Sequence, residues 1–113
     1  MKDDRLYLID ILDCLERIEA YTQAGRDAFM RSTMIQDAVI RNFEIIGEAA
    51  KQVSKETRSN YREVPWRRIG GFRDILIHAY SRVRMDEIWG VIEHNLATFK
   101  RQIRSILDEQ QTE

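Results

Sequence analysis

Residues 65–80, Pro-Trp-Arg-Arg-Ile-Gly-Gly-Phe-Arg-Asp-Ile-Leu-Ile-His-Ala-Tyr, place an arginine, an aspartate, a histidine and a tyrosine at the spacing Arg73-Asp74-x-x-x-His78-x-Tyr80. Histidine with arginine, and no metal set, suits cleavage of RNA by its own 2′-hydroxyl. An imidazole titrates near neutrality, so it can take the 2′-hydroxyl proton or deliver one to the leaving 5′-oxygen, contributing roughly 10²–10⁴ in rate. A guanidinium stabilises the charge added on the five-coordinate phosphate. On an ideal helix, however, Arg73 and His78 stand about 7.5 Å apart along the axis and roughly 140° around it. They converge only if the helix end bends near Tyr80, or if a second subunit brings its own copy across a two-fold axis. Asp74 and His78, at i and i+4, share an edge on which the carboxylate could fix the imidazole tautomer; Arg73 and Tyr80, seven apart, share another. The spacing also fits a histidine that is merely a surface or hydrogen-bonded core residue.

The elements that must position these side chains read as helices. One proline and five glycines in 113 residues, a third of them charged, argue against a loop-rich β-protein. The length suits one domain, 1–113. No apolar run approaches the roughly 18 residues of a membrane span, and Met-Lys-Asp-Asp-Arg is too polar to begin a secretory signal, so a cytoplasmic protein without membrane association is expected. Cys14 is the single cysteine and reads as a small packed residue; with two distant histidines it makes no zinc set, and no cofactor is expected.

The net charge of −1 hides an asymmetry. Seven arginines, Arg58, Arg62, Arg67, Arg68, Arg73, Arg82 and Arg84, face only Glu63 and Asp74 between residues 58 and 84. The guanidinium fork suits phosphate, so an RNA or nucleotide ligand would favour this segment, with Arg67, Arg68, Arg82 and Arg84 as candidate RNA contacts. A solvated, salt-bridged helical surface would carry the same charges.

Leu8, Ile11, Leu15 and Ile18 set a first helix over residues 4–24, with Asp3 or Asp4 as its cap and Gly25 where it stops. A long second helix runs from Ser32 or Thr33 to about Glu56. Gly47 in its middle costs on the order of 1 kcal/mol relative to alanine and reads as a point of close helix approach. Pro65 opens a third helix ending near Tyr80, in which Gly70 and Gly71 imply another close approach. After Ser81–Arg84, the stripe Ile88, Ile92, Leu96, Phe99, Ile103, Ile106 sets one last helix. Four helices with short connections point to an all-α, antiparallel four-helix bundle. Trp89 lies off the last stripe: it either packs in the core or, with Tyr7 and Leu12, supplies apolar area for a dimer.

The stretches Ile35-Gln36-Asp37-Ala38-Val39-Ile40-Arg41-Asn42-Phe43-Glu44-Ile45-Ile46-Gly47-Glu48-Ala49, Pro65-Trp66 and Arg73–Tyr80 resemble, in order, the signatures of HepT-like proteins of the HEPN superfamily, toxins paired with MntA-type minimal nucleotidyltransferase antitoxins. The resemblance covers nearly the whole chain. It implies a homodimeric HEPN-type bundle acting as a metal-independent endoribonuclease, with Arg73 and His78 as the catalytic pair in the dimer cleft. Asp74 falls where many members carry asparagine. Tyr80 matches the tyrosine that such antitoxins AMPylate, and an adenylate beside Arg73 would compete with RNA phosphate. A catalytically silent HEPN dimer, serving as a binding scaffold or as the nucleotide-binding partner of a nucleotidyltransferase, would share this fold.

Overall fold

The computed structural model describes residues 2–112, with side chains from Asp4 to Gln110; Asp3 as a cap therefore lies outside the described side chains. As expected, the described chain is all-helical: α1 (Lys2–Tyr21), α2 (Arg26–Arg31), α3 (Thr33–Gln52), α4 (Lys55–Asn60), α5 (Trp66–His78), a single 3-10 turn (Tyr80–Arg82), α6 (Met85–His94) and α7 (Leu96–Thr112).

The four uninterrupted helices expected from periodicity are thus divided further, and each division has a local cause. The supposed connection 26–31 is α2, anchored by fully buried Phe29 and begun after Gly25, whose φ of 94° no other residue adopts readily. Ser32 ends α2 and caps α3, its Oγ accepting the Ile35 N–H at 3.1 Å. The long second helix stops at Gln52 because Val53 and Ser54 turn extended and Ser54 caps α4, accepting the Thr57 N–H at 3.2 Å. The last helix breaks at Asn95. Asparagine is a poor helix former, and the break lets α6 lie on α2 while α7 follows α1.

Leu8, Ile11, Leu15 and Ile18 of α1 are fully buried in one core with Val39 and Ile46 of α3, Leu76 of α5, Ile88 of α6 and Ile103 and Ile106 of α7. Cys14 is packed there as expected. Side-chain ties give the helix directions. Lys100 and Arg104 of α7 reach Glu19 and Glu16 of α1 at 2.7 and 2.9 Å, so these helices run antiparallel. Asp4 at the start of α1 meets Ser54 just past the end of α3, so that pair is antiparallel too. Trp89 packs inward, its ring 5.6 Å from that of Phe29, and Tyr7 and Leu12 lie half-buried against the core. Of the two placements open to Trp89 the core one is found, and Tyr7 and Leu12 keep only part of their area for a partner. The large apolar side chains left exposed are instead Leu6, Tyr21, Met34, Ile75, Ile77 and Tyr80. No described helix is long and apolar enough to cross a membrane.

Asp4 does not cap α1 but joins it to α4. Its carboxylate, in a residue 3% exposed, accepts from the Ser54 N–H (2.8 Å), the Ser54 hydroxyl (2.6 Å) and the Thr57 hydroxyl (2.6 Å). Burial pushes the Asp4 carboxyl upward, but these hydrogen bonds outweigh it and hold the group below its ordinary 3.8. A carboxyl depressed on folding stabilises the protein above its unfolded value, and the contribution is lost as pH falls through the folded value. Asp4→Ala is expected to lower stability at pH 7 by about 2–3 kcal/mol, because three donors lose an ionised acceptor. Urea unfolding between pH 7 and 2 checks this: the gap between wild type and variant should close below pH 3.8, and a gap that persists in acid would assign the effect to packing.

Candidate active site

α5 is positioned by α3. A Cβ on Gly47 would overlap the Arg73 Cβ and stand 2.8 Å from its Cγ and 3.1 Å from the Ile69 carbonyl oxygen, so α5 reaches its place only because position 47 carries no side chain. Phe43 and Phe72 pack edge to face beside this contact, ring centres 5.3 Å apart. Gly47 thus behaves as its mid-helix position predicts. The α5 glycines differ from each other: a Cβ on Gly70 would stand 3.2 Å from Lys51 Cε, whereas Gly71 faces open space.

Close packing holds the Arg73 stem, leaving its side chain 24% exposed with Nε buried and unpartnered. The guanidinium Nη1 donates to Asp74 Oδ1 at 3.2 Å, and Nη2 lies 4.0 Å from Glu48 Oε2. Lys51 Nζ donates to the same Asp74 oxygen at 2.6 Å. The hydrogen bond from Lys51, reinforced by Arg73, holds the Asp74 carboxyl below the ordinary carboxylate range. Asp74 therefore does not orient His78 as expected. Two full cations compete for its carboxylate, one reaching across from α3, and both outbid an imidazole on the same helix edge.

His78 is the last residue of α5. Ala79, at φ −132° and ψ 35°, leaves the helix immediately after it. The imidazole is exposed and has no hydrogen bond or ion pair among the described residues. The helix thus ends just before Tyr80, the first of the two arrangements considered, yet Arg73 and His78 make no bond to each other. This early helix end also overturns the expected Arg73–Tyr80 edge. Tyr80 opens the 3-10 turn, 49% exposed, and its hydroxyl donates to Asp37 Oδ1 near the start of α3 at 3.5 Å.

Of the four arginines considered as RNA contacts, Arg67 and Arg68 line different grooves. Arg67 lines a basic groove, while Arg68 faces a larger apolar groove of about 700 Å³ bounded by α3, α5 and the α6–α7 junction. Arg82 and Arg84 lie beyond His78, and Arg84 pairs with Asp86 at 2.7 Å. Helical spacing had already separated Arg67 from Arg68, since successive residues point about 100° apart. Glu48, Lys51 and Asp37 were missed as neighbours of the motif. For the first two, a usable signal was their spacing of one and four from Gly47, the residue flagged as a point of close approach.

Sequence comparison bears on the same segment. Residues 11–106, which include Arg73, His78 and Tyr80, match the family model described as Ribonuclease HepT-like. The chain is 37% identical over 111 residues to the "Putative RNase" of Caldanaerobacter subterraneus subsp. tengcongensis, covering 97% of this chain and 99% of that protein. It is 37% identical over 95 residues to the "Probable ribonuclease HepT" of Thermococcus cleftensis, covering 83% and 86%. It is also 41% identical over 109 residues to the "Gamma-glutamylcyclotransferase and putative RNase" of Methanocaldococcus jannaschii, where 96% of this chain spans 49%, about half, of the longer relative. No solved structure matches. Full-length similarity of this kind, running through an all-helical chain and across the arginine–histidine segment, makes the chain a member of the ribonuclease HepT-like family.

Proposed function

We propose that this chain, a single HEPN (HepT-like) domain over residues 1–113, is the toxin of a cytoplasmic HEPN/MNT toxin–antitoxin system and acts as a metal-independent endoribonuclease. The observation that carries the reading is the exposed, unpartnered His78 at the end of α5, five residues from Arg73, whose stem is packed against Gly47. Free His78 nitrogen takes the 2′-hydroxyl proton as the oxygen attacks the adjacent phosphorus. The 5′-oxygen leaves with a proton, giving a cyclic phosphate and a free 5′-hydroxyl. Arg73 offsets the charge that builds on the phosphoryl oxygens. A homodimer supplies a second imidazole, so one acts as base and the other as acid. Exposed Ile75, Ile77 and Tyr80 around His78 supply apolar area for that contact. Asp74, where asparagine would leave only the more distant Glu48 beside the arginine, tempers the attraction for RNA.

Neutralisation by AMPylation suits Tyr80. Its half-exposed hydroxyl can attack the α-phosphorus of ATP held by an MntA-type antitoxin, releasing pyrophosphate and losing its proton, and the bound adenylate then blocks the cleft. Incubation with a cognate nucleotidyltransferase and ATP should raise the intact mass by adenylate units in wild type and not in Tyr80→Phe; a gain that survives the substitution would place the modification elsewhere. The silent scaffold reading gains support from one observation, the engagement of Arg73 by Glu48 and Asp74. Cleavage of a broad RNA panel by unmodified protein in the presence of a chelator, lost in His78→Ala, decides for the enzyme, and an inert wild type decides for the scaffold.

A further inference from the structure

A second concave feature lies beyond the nuclease motif: a groove of about 590 Å³ between the end of α3, α4 and the outer edge of α5. Lys51, Lys55, Arg58, Arg62 and Arg67 line it against one carboxylate, Asp74. Some cations elsewhere are neutralised, Arg41, Arg84, Lys100 and Arg104 each having a carboxylate within ion-pair distance, while others, such as Arg26 and Arg31 on α2, are unpaired among the described residues but do not line this concavity. In the groove only Lys51 has such a carboxylate, Asp74; Lys55, Arg58, Arg62 and Arg67 have no such partner among the described residues. The Arg58 Nε is in addition buried with no hydrogen-bond acceptor. Four unneutralised cations around one concavity focus a positive field on whatever enters it.

We infer that this groove holds the phosphodiester backbone of single-stranded RNA flanking the bond cut at His78, an inference that rests on the nuclease reading above. The register of α5 supplies the connection. Arg67, Gly71 and Asp74 line the groove, and His78 continues the same helix edge at i+4 from Asp74. Arg67 and His78 are about 16 Å apart along the axis, so a strand lying in the groove runs on to the imidazole of the same protomer. The cations are spread over three elements along an open trough, which matches successive phosphates of a chain. Trp66 also lines the trough; its indole N–H is engaged by the Tyr61 carbonyl at 3.0 Å, leaving the ring as a surface on which a base can stack.

The test uses the full-length His78→Ala protein, so that RNA stays intact, and a fluorescent 12-nucleotide single strand followed by anisotropy at several salt concentrations. Lys55→Ala/Arg62→Ala is compared with Arg26→Ala/Arg31→Ala on α2, which removes the same charge from another face; all four side chains are exposed, and thermal melts check that both variants fold. The groove variant should bind at least tenfold more weakly. Its slope of log affinity against log salt should shrink by about 1.4, or roughly 0.7 for each lost phosphate contact, while the α2 variant changes Kd less than threefold. Equal weakening by both variants, or no weakening, or no RNA binding before substitution, overturns the groove. So does ATP displacing RNA at lower concentration than unlabelled RNA does, since the groove would then be a nucleotide site. Equal or absent weakening leaves the nuclease reading intact, since that reading stands or falls separately on RNA cleavage by protein with His78 intact.

Discussion

His78→Ala is expected to lower RNA cleavage by about 10²–10⁴, the range a positioned acid–base group contributes, while changing stability by no more than about 0.5 kcal/mol. The two expectations follow from the same fact. The imidazole is exposed, ends its helix and bonds to nothing described, so its removal breaks no hydrogen bond or ion pair of the folded state. Arg73→Ala should also abolish cleavage, but less cleanly: its guanidinium bonds Asp74 and stands near Glu48, and its stem fills the space against Gly47. Arg73→Lys keeps the charge but not the fork, and should recover stability better than rate. Initial rates on a cleavable RNA, measured beside urea unfolding, separate these effects. Full activity in His78→Ala would remove the imidazole from the chemistry and with it the proposed mechanism.

The second large effect is at Gly47, which touches no proposed substrate. Alanine there gains roughly 1 kcal/mol of helix propensity in α3, yet its Cβ would overlap the Arg73 Cβ and crowd the Ile69 carbonyl. α5 must move away, and overpacking of this kind costs about 1–3 kcal/mol. Backbone and a side-chain root, not a flexible tip, stand in the way, so the clash wins. Gly47→Ala should be less stable than wild type by up to about 2 kcal/mol. Its cleavage should fall by as much as 10², because a shift of about 1 Å in the group facing the phosphate is enough. Denaturant midpoints and single-turnover rates on the same preparation provide the check. A more stable and fully active variant would mean that the α3–α5 spacing relaxes freely and that Gly47 does not position Arg73.

Where the sequence was informative, the forces were local. Apolar residues at steps of three and four marked α1 and α3 and their buried faces, because the period of a helix depends on the chain alone. Gly47 as a contact and Cys14 as core were legible for a similar reason, each needing only its place on its helix, whereas Gly25, read as the stop of the first helix, lies four residues past its end at Tyr21 and stands at the start of α2. Short capping bonds were harder to see. The start at Ser32 was read, but Ser54 sets a helix start that periodicity ran through, and the break at Asn95 depends on α6 and α7 having different neighbours.

The arginine, aspartate, histidine and tyrosine of the motif were chosen by residue type and spacing alone, but their partners were decided by packing. Asp74 turned from His78 to Lys51, 23 residues away in the chain, because the missing side chain at Gly47 brings α5 close enough to α3 for an ammonium to reach it. Tyr80 met Asp37 because the helix ended two residues before it. The basic groove depends on α4, a six-residue helix that periodicity did not mark, in a segment whose arginines were legible but whose fold was not. Periodicity records which way a side chain faces on its own helix; which charge waits opposite is a property of two helices at once, and only the tertiary structure supplies it.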